Sequence, residues 1–173
     1  METSTRPADG RRLFSVAQIQ HVLRTEFGRS QRYKYPLAVL VVAVDQLGAI
    51  RDRRGYESKE AVVEGVVKLL FESTRSSDFL GRTPDDRLMA VVPHTDEAGA
   101  RTLAERLLAG ARALAVGDAA GERFTLSIGA TSTRDGEPLF PDVLLTAAEA
   151  AQADAVSAGG DRFVAVPPIP RAP

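Results

Sequence analysis

Two groups of polar residues in the stretch RSSDFLGRTPDDRLMAVVP (residues 75–93) have the side chains and spacing to do chemistry. The first is RSSD, which begins at Arg75 and ends at Asp78. A guanidinium can donate paired hydrogen bonds to a phosphate or a guanine, and a carboxylate can accept from guanine N–H groups. The second group is the acidic turn Pro84-Asp85-Asp86, followed by Arg87. The stretch therefore predicts either an ordinary solvated turn or a site for a phosphorylated ligand.

The hydrophobic pattern around this stretch predicts the elements that position it. RSSD ends a helix predicted over about 57–75, and the acidic turn joins two strand arms at 79–80 and 88–92. Leu37–Val44 is an unbroken apolar run, typical of a central strand that is covered on both faces. Further helices are predicted over 15–32, from Asp96 and from Asp142, and further strands over 123–129 and 162–166. This order predicts a single α/β domain with helices on both faces of the sheet.

The composition limits the classes of function. The chain has 173 residues, of which 44% are hydrophobic and 26% charged, so it can bury a core. Residues 1–12 and 167–173 are predicted to be a flexible N-terminal tail and a Pro-rich C-terminal tail around a domain at 13–166. A net charge of −1 argues against nucleic-acid binding through phosphate attraction.

The chain contains no cysteine, which excludes disulfides and thiolate metal sites. Its longest apolar run is shorter than the roughly 20 residues that a membrane-spanning helix needs. We therefore expect a cytoplasmic protein with no membrane or nucleic-acid partner, no bound metal and no cofactor.

From about Leu13 to Val166 the sequence resembles a GGDEF domain, the family of the diguanylate cyclases. The matching segments are VLVVAVDQLGAIRDRRG, SSDFLGR, MAVVPHTD, AERLL, SIGA and GGDRF. The resemblance implies an adenylyl-cyclase-like palm with a five-stranded, mainly antiparallel sheet flanked by helices. It also aligns Pro84-Asp85-Asp86-Arg87-Leu88 with the signature that gives the family its name.

The resemblance implies that most catalytic positions have changed. The family joins two GTP molecules with the help of divalent metal ions, which hard carboxylate oxygens hold. Asp86 and Asp45 survive, and Glu60 stands where the family has a guanine-binding Asp. The positions that otherwise supply a metal carboxylate, a phosphate-binding Lys, a guanine-binding Asn or the signature glycines are Ala43, Gly48, Arg51, Pro84, Asp85, Arg87 and Val156. We therefore expect an inactive cyclase.

The same resemblance places RSSD in the register of the family's product-inhibition motif, RxxD five residues before the signature. Arg106 in AERLL matches a second arginine of that site. This predicts a receptor that binds cyclic di-GMP through Arg75, Asp78 and Arg106 and regulates a partner protein or its own dimerisation. Two alternatives remain: RSSD is a solvated helix cap, or the domain is a ligand-independent protein-interaction scaffold that uses the Arg-rich segment 51–54.

Overall fold

The computed structural model describes residues 10–115, 123–133 and 140–168. The described residues form five helices and five strands: α1 Val16–Tyr33, β1 Leu37–Val44, α2 Leu47–Arg54, α3 Tyr56–Ser73, β2 Phe79–Arg82, β3 Leu88–Pro93, α4 Glu97–Ala113, β4 Leu126–Ser132, α5 Pro141–Ser157 and β5 Arg162–Ala165. The strands make one sheet in the order β2-β3-β1-β4-β5. All neighbours are antiparallel except β4 and β5, which are parallel. The α/β fold with a mainly antiparallel five-stranded sheet is therefore confirmed.

The central strand β1 separates two hydrophobic cores, because successive side chains point to opposite faces of a sheet. Leu37, Val39 and Val41 pack into a core with residues of α1 and α5. The alternate residues, including Leu40 and Val42, pack into a larger core with residues of α2, α3 and α4. Burial on both faces explains why this strand is continuously apolar rather than alternating.

The structure contains one helix that the hydrophobic pattern did not predict. The helix α2 follows Gln46, which has a left-handed backbone with φ of 55°. Of its eight residues only Ile50 is buried, so the segment has no apolar stripe by which periodicity could detect it. The strand predicted over 123–129 begins at Leu126 and extends to Ser132. Residues 1–9 and 169–173 of the predicted tails lie outside the described residues.

The edge strand β2 has one of the two polar groups at each of its ends. RSSD comes directly before Phe79, and the acidic turn begins two residues after Arg82. Since β2 pairs only with β3 and with a single bridge at Phe14 among the described residues, both groups lie at the margin of the sheet. None of the helices in the described part of the chain is long and apolar enough to cross a membrane.

Candidate functional site

The acidic turn is a tight three-residue hairpin loop. The Asp86 N–H donates to the Thr83 carbonyl at 3.0 Å, and the Thr83 N–H donates to the Arg87 carbonyl at 2.9 Å. Asp86 has a left-handed backbone with φ of 63°. This is the pattern of a type I turn followed by a left-handed residue, and proline is favoured at the position that Pro84 occupies. The loop is therefore well formed although it contains no glycine.

A network of four charged side chains is built around the Asp86 carboxylate of the turn. Asp86 Oδ2 lies 2.6 Å from Lys59 Nζ. Its other oxygen, Oδ1, accepts from Arg82 Nε at 3.1 Å and from Arg82 Nη2 at 2.5 Å. Arg82 also donates to both oxygens of Glu60, at 2.9 and 3.3 Å. We call these four side chains the hairpin network: Lys59, Glu60, Arg82 and Asp86. Their two positive and two negative charges balance, and they connect α3, β2 and the turn.

The pKa shifts of the hairpin network follow from these contacts. Burial raises the pKa of the Asp86 carboxyl, but the hydrogen bonds from Lys59 and Arg82 outweigh it and leave that pKa below its usual range. The hydrogen bonds from Arg82 lower the pKa of Glu60 against the effect of burial. The hydrogen bond to Asp86 raises the pKa of Lys59. All four groups are therefore charged at neutral pH.

The remaining carboxylates and the neighbouring positions do not fit a divalent metal ion. Both oxygens of Asp45 are already engaged, because they accept from Ser127 Oγ at 2.6 Å, from Thr125 Oγ1 at 2.6 Å and from the Asp161 N–H at 2.9 Å. Ala43 offers no ligand atom. Among residues 10–115, 123–133 and 140–168 no group of three His, Cys, Asp or Glu side chains could hold a metal. A hard cation needs several oxygen ligands, and here ammonium and guanidinium groups occupy both oxygens of Asp86.

The other predicted active-site positions lie on separate parts of the surface. Arg87 pairs with Asp85 at 2.7 Å and approaches Glu149 of α5 at 3.6 Å. Arg51 pairs with its neighbour Asp52 on the exposed α2, where Gly48 also lies. Val156 is half-exposed on α5. Lys59 and Arg82 were not among the predicted site residues.

Replacing Lys59 with Met is expected to destabilise the domain by about 1–2 kcal/mol at pH 7, the range for a hydrogen bond between charged groups. Because the pKa of Asp86 is lowered by folding, this contribution is present above the unfolded pKa of about 4 and is lost as the pH falls through the folded value. The unfolding free energies of the wild type and of Lys59→Met should therefore converge as the pH is lowered through the folded pKa of Asp86. Lys68→Met is the matched control, because Lys68 is 72% exposed and lies 3.9 Å from Glu72. Equal losses in the two variants, measured by urea unfolding, would contradict the network.

The RSSD segment forms a compact turn at the end of α3. The Asp78 N–H donates to the Arg75 carbonyl at 3.0 Å, and the Arg75 N–H donates to Asp78 Oδ2 at 2.8 Å. Asp78 is 5% exposed, whereas Arg75 is exposed. The segment is therefore not a fully solvated cap, because its carboxylate is buried.

The buried carboxylate of Asp78 is only half satisfied. Its second oxygen, Oδ1, has no hydrogen-bond partner within the part of the chain that the structure describes. Burial raises the pKa of Asp78, opposed by the hydrogen bond from the Arg75 N–H and by the charges of Arg75 and Arg11. An unpaired polar atom in such a position costs free energy that a ligand with N–H donors could recover.

A cavity of about 330 Å³ joins this turn to the first half of α4. Its lining includes Arg75, Asp78 and Arg106, together with Ser73, His94 and Thr102. One guanidinium nitrogen of Arg106, Nη1, donates to the Ser73 carbonyl at 2.9 Å, which holds the side chain across the end of α3. The structure thus brings together the three residues predicted to bind a ligand.

This sheet order, with its hairpin between β2 and β3 and helices on both faces, defines a cyclase palm. The family described as "Diguanylate cyclase, GGDEF domain" matches residues 12–162, and the chain belongs to this family. The segment PDDRL, which we predicted to align with the family signature, forms the β2–β3 turn and the first residue of β3.

Individual relatives agree with this assignment. Diguanylate cyclase DosC of Escherichia coli strain K12 is 28% identical over 131 residues, which are 75% of this chain and 28% of DosC. The chain therefore spans less than a third of that relative. Diguanylate cyclase SiaD of Pseudomonas aeruginosa, solved in complex with its activator SiaC, has a TM-score of 0.82 and 27% identity over 95% of this chain and 63% of SiaD. The GGDEF domain of DgcB from Caulobacter crescentus, solved in complex with c-di-GMP, has a TM-score of 0.82 at 16% identity and covers 90% of this chain and 89% of that one.

Proposed function

We propose that this GGDEF domain is a catalytically inactive receptor that binds cyclic di-GMP through Arg75, Asp78 and Arg106. The main support is the buried Oδ1 atom of Asp78, which has no partner among the described residues and belongs to a residue that lines the cavity. A perturbed, half-satisfied carboxylate whose residue lines a cavity together with two arginines is typical of a binding site.

The chemistry of the cavity suits a guanine dinucleotide. Cyclic di-GMP presents two phosphates and the edges of two guanines. The Arg75 guanidinium is exposed and makes no hydrogen bond or ion pair within the described residues. It is therefore available to form paired hydrogen bonds with a phosphate or with guanine O6 and N7. Asp78 Oδ1 would accept from the guanine N1–H and N2–H groups. A domain of the same fold, that of DgcB, was crystallised with this ligand.

The hairpin network supports the proposal that catalysis has been lost. Phosphoryl transfer of this kind depends on metal ions that neutralise the triphosphate and on carboxylates that hold them. In this chain Lys59 and Arg82 occupy both oxygens of Asp86, and Ala43 and Arg87 replace carboxylate positions of the family. We expect no cyclic di-GMP to form from GTP and Mg²⁺, measured by chromatography beside an active GGDEF domain. Product formation that Asp86→Ala abolishes would overturn this part of the proposal.

Isothermal titration with cyclic di-GMP tests the binding directly. We expect a dissociation constant in the micromolar range or below, and a loss of at least about tenfold for Arg75→Ala and for Arg106→Ala, since each removes charge-assisted hydrogen bonds. Arg101→Ala is the matched control, because Arg101 lies on the same helix as Arg106 but pairs with Glu97 at 3.8 Å. The proposed receptor would be ruled out by the absence of binding at tens of micromolar. Gel filtration with and without ligand then distinguishes ligand-driven dimerisation from the regulation of a partner.

A second candidate function is a ligand-independent interaction scaffold, and the exposed face of α2 favours it. Arg51, Arg53 and Arg54 are all exposed there, on a helix that buries only Ile50. Such a basic surface would suit an acidic partner protein. If Arg53→Glu abolished the cellular output while Arg75→Ala left it intact, the scaffold function would replace the receptor function.

A further inference from the structure

Arg11 lies before the first helix, yet its side chain reaches the end of α3, about 60 residues further along the chain. Its Nη2 donates to the Phe71 carbonyl at 2.5 Å. Its Nη1 donates to Thr74 Oγ1 at 3.1 Å and to the Arg75 carbonyl at 2.7 Å. The guanidinium carbon also lies 5.1 Å from the centre of the Phe71 ring. One side chain therefore contacts three successive parts of the segment that leads into RSSD.

The end of α3 needs such a partner. The last carbonyls of a helix have no intrahelical donor, and they form the negative end of the helix dipole. The last turn of α3 contains no basic residue, and its cap residue Thr74 is extended rather than left-handed. Arg11 supplies donors to the Phe71 and Arg75 carbonyls and adds positive charge, beside Arg106, whose Nη1 donates to the Ser73 carbonyl. The planar guanidinium can reach several acceptors at once, which the ammonium of a lysine cannot do in the same geometry.

The contact with the Arg75 carbonyl links Arg11 to the ligand-binding turn. That carbonyl accepts from Arg11 Nη1 and also from the Asp78 N–H, the hydrogen bond that closes the RSSD turn. Arg11 thus holds the acceptor that orients the backbone of Asp78. Arg11 is not among the residues that line the cavity, so any effect it has on a ligand there acts through the turn.

The segment around Arg11 is fixed to the other side of the same turn. The Phe14 N–H donates to the Leu80 carbonyl at 2.8 Å, and the Arg82 N–H donates to the Phe14 carbonyl at 3.0 Å. The rings of Phe14 and Phe79 are 6.2 Å apart. Residues 11–14 therefore connect the helix that enters RSSD with the strand that leaves it.

We propose that Arg11 is a positioning residue for the cyclic di-GMP site: it holds the RSSD turn in the geometry in which Asp78 and Arg75 meet the ligand. The inference rests on the proposed receptor function. If Arg11 has this role, residues 11–14 are needed for ligand binding, although none of the predicted ligand contacts lies in them.

The test measures the turn and the ligand separately. Hydrogen exchange of the Asp78 amide, followed by NMR on the unliganded protein, should be about tenfold faster in Arg11→Ala, because a closing contact of the turn is lost. Core amides such as that of Val91 should be unchanged. The dissociation constant for cyclic di-GMP should rise about tenfold, and Arg11→Lys should recover part of both effects.

Arg12→Ala is the matched control, because Arg12 is exposed and its guanidinium lies over the Phe14 ring at 5.0 Å rather than at the end of α3. It should change neither the exchange rate nor the affinity. If Arg11→Ala exchanged and bound like the wild type, the positioning role would be wrong. If the wild type bound no ligand while Arg11→Ala still accelerated exchange at Asp78, the positioning of the turn would be supported and the receptor function alone would fail.

Discussion

Replacing Asp78 with Asn is expected to weaken the binding of cyclic di-GMP strongly and, at the same time, to stabilise the unliganded domain at neutral pH. The amide oxygen of Asn can still accept from the Arg75 N–H, as Asp78 Oδ2 does at 2.8 Å. What changes is the second oxygen, which in the wild type is buried, charged and without a partner among the described residues. A neutral amide costs less to bury than a carboxylate, and we expect a gain of about 1 kcal/mol.

The sign of the pH dependence separates this effect from a general change in packing. Burial raises the pKa of Asp78 in the folded protein above its unfolded value. The folded state therefore binds the proton more tightly, and stability falls as the pH rises from the unfolded pKa of about 4 through the folded value. The asparagine side chain has no such proton to lose, so the difference between Asp78→Asn and wild type should be small near pH 4 and greatest at pH 7. Urea unfolding at the two pH values measures it.

The binding effect of the same substitution should be large. The guanine N1–H and N2–H groups need acceptors, and an amide offers one acceptor and adds a donor in place of the other. We expect a loss of about 100-fold in affinity, since a buried mismatch leaves polar groups unpaired. Asp52→Asn is the control, because Asp52 is 71% exposed and pairs with Arg51 on α2. Unchanged affinity in Asp78→Asn would remove Asp78 from the site.

If the Asp78 carboxylate binds the ligand, its replacement should stabilise the domain and weaken binding together. A carboxylate with a purely structural role would not give both effects. Natural binding sites retain groups that are unfavourable for the free protein, because the ligand satisfies them. If the domain is instead a ligand-independent scaffold, Asp78→Asn should stabilise it without changing its cellular output, and there should be no ligand affinity to lose. The combination of stability and affinity therefore distinguishes the two candidate functions in one variant.

The neighbourhood of Arg75, Asp78 and Arg106 was predicted from the resemblance to the family. The resemblance gave the register of RSSD before β2 and matched Arg106 in α4 to a second arginine of the same site. The positioning contact of Arg11 could not be predicted, because Arg11 and α3 are distant in sequence and the chain is rich in arginine. The pairing of Phe14 with β2 is what brings Arg11 close to the end of α3.

The hairpin network was missed for a related reason. Arg82 and Glu60 are 22 residues apart, and their contact depends on how α3 packs beside β2. Sequence comparison assigns each position a role from the family, and neither Lys59 nor Arg82 was assigned one. A useful signal was the charge of the turn itself, since two adjacent acids at a left-handed turn need nearby cations when they are partly buried.

The Ala-rich helix α5 shows that a sequence pattern can predict an element without predicting its packing contacts. The small residues of α5, among them Ala148, Ala151 and Ala155, are completely buried. They allow the helix backbone to lie directly against β4 at Gly129. The sequence predicted both elements, but small side chains alone do not show which strand position the helix touches.

Gly129→Ala is accordingly expected to destabilise the domain by about 3 kcal/mol, because overpacking against backbone forces whole elements apart. A Cβ atom at this position would lie 2.6 Å from the Cα of Gln152, closer than real Cβ contacts, and would also collide with the Ala148 carbonyl. Neither atom belongs to a flexible side chain, so the clash can be relieved only by shifting α5 away from the sheet. Thermal unfolding followed by circular dichroism measures the loss.

Gly48→Ala is the matched control for that prediction. Gly48 lies in α2, and a Cβ atom there would meet nothing within 4 Å. Alanine has the higher helix propensity and restricts the unfolded chain, so this variant should be more stable than the wild type by about 0.5–1 kcal/mol. The same chemical change should thus have opposite signs at the two glycines. If Gly129→Ala left the melting temperature unchanged or raised it, the close contact between α5 and β4 would be contradicted.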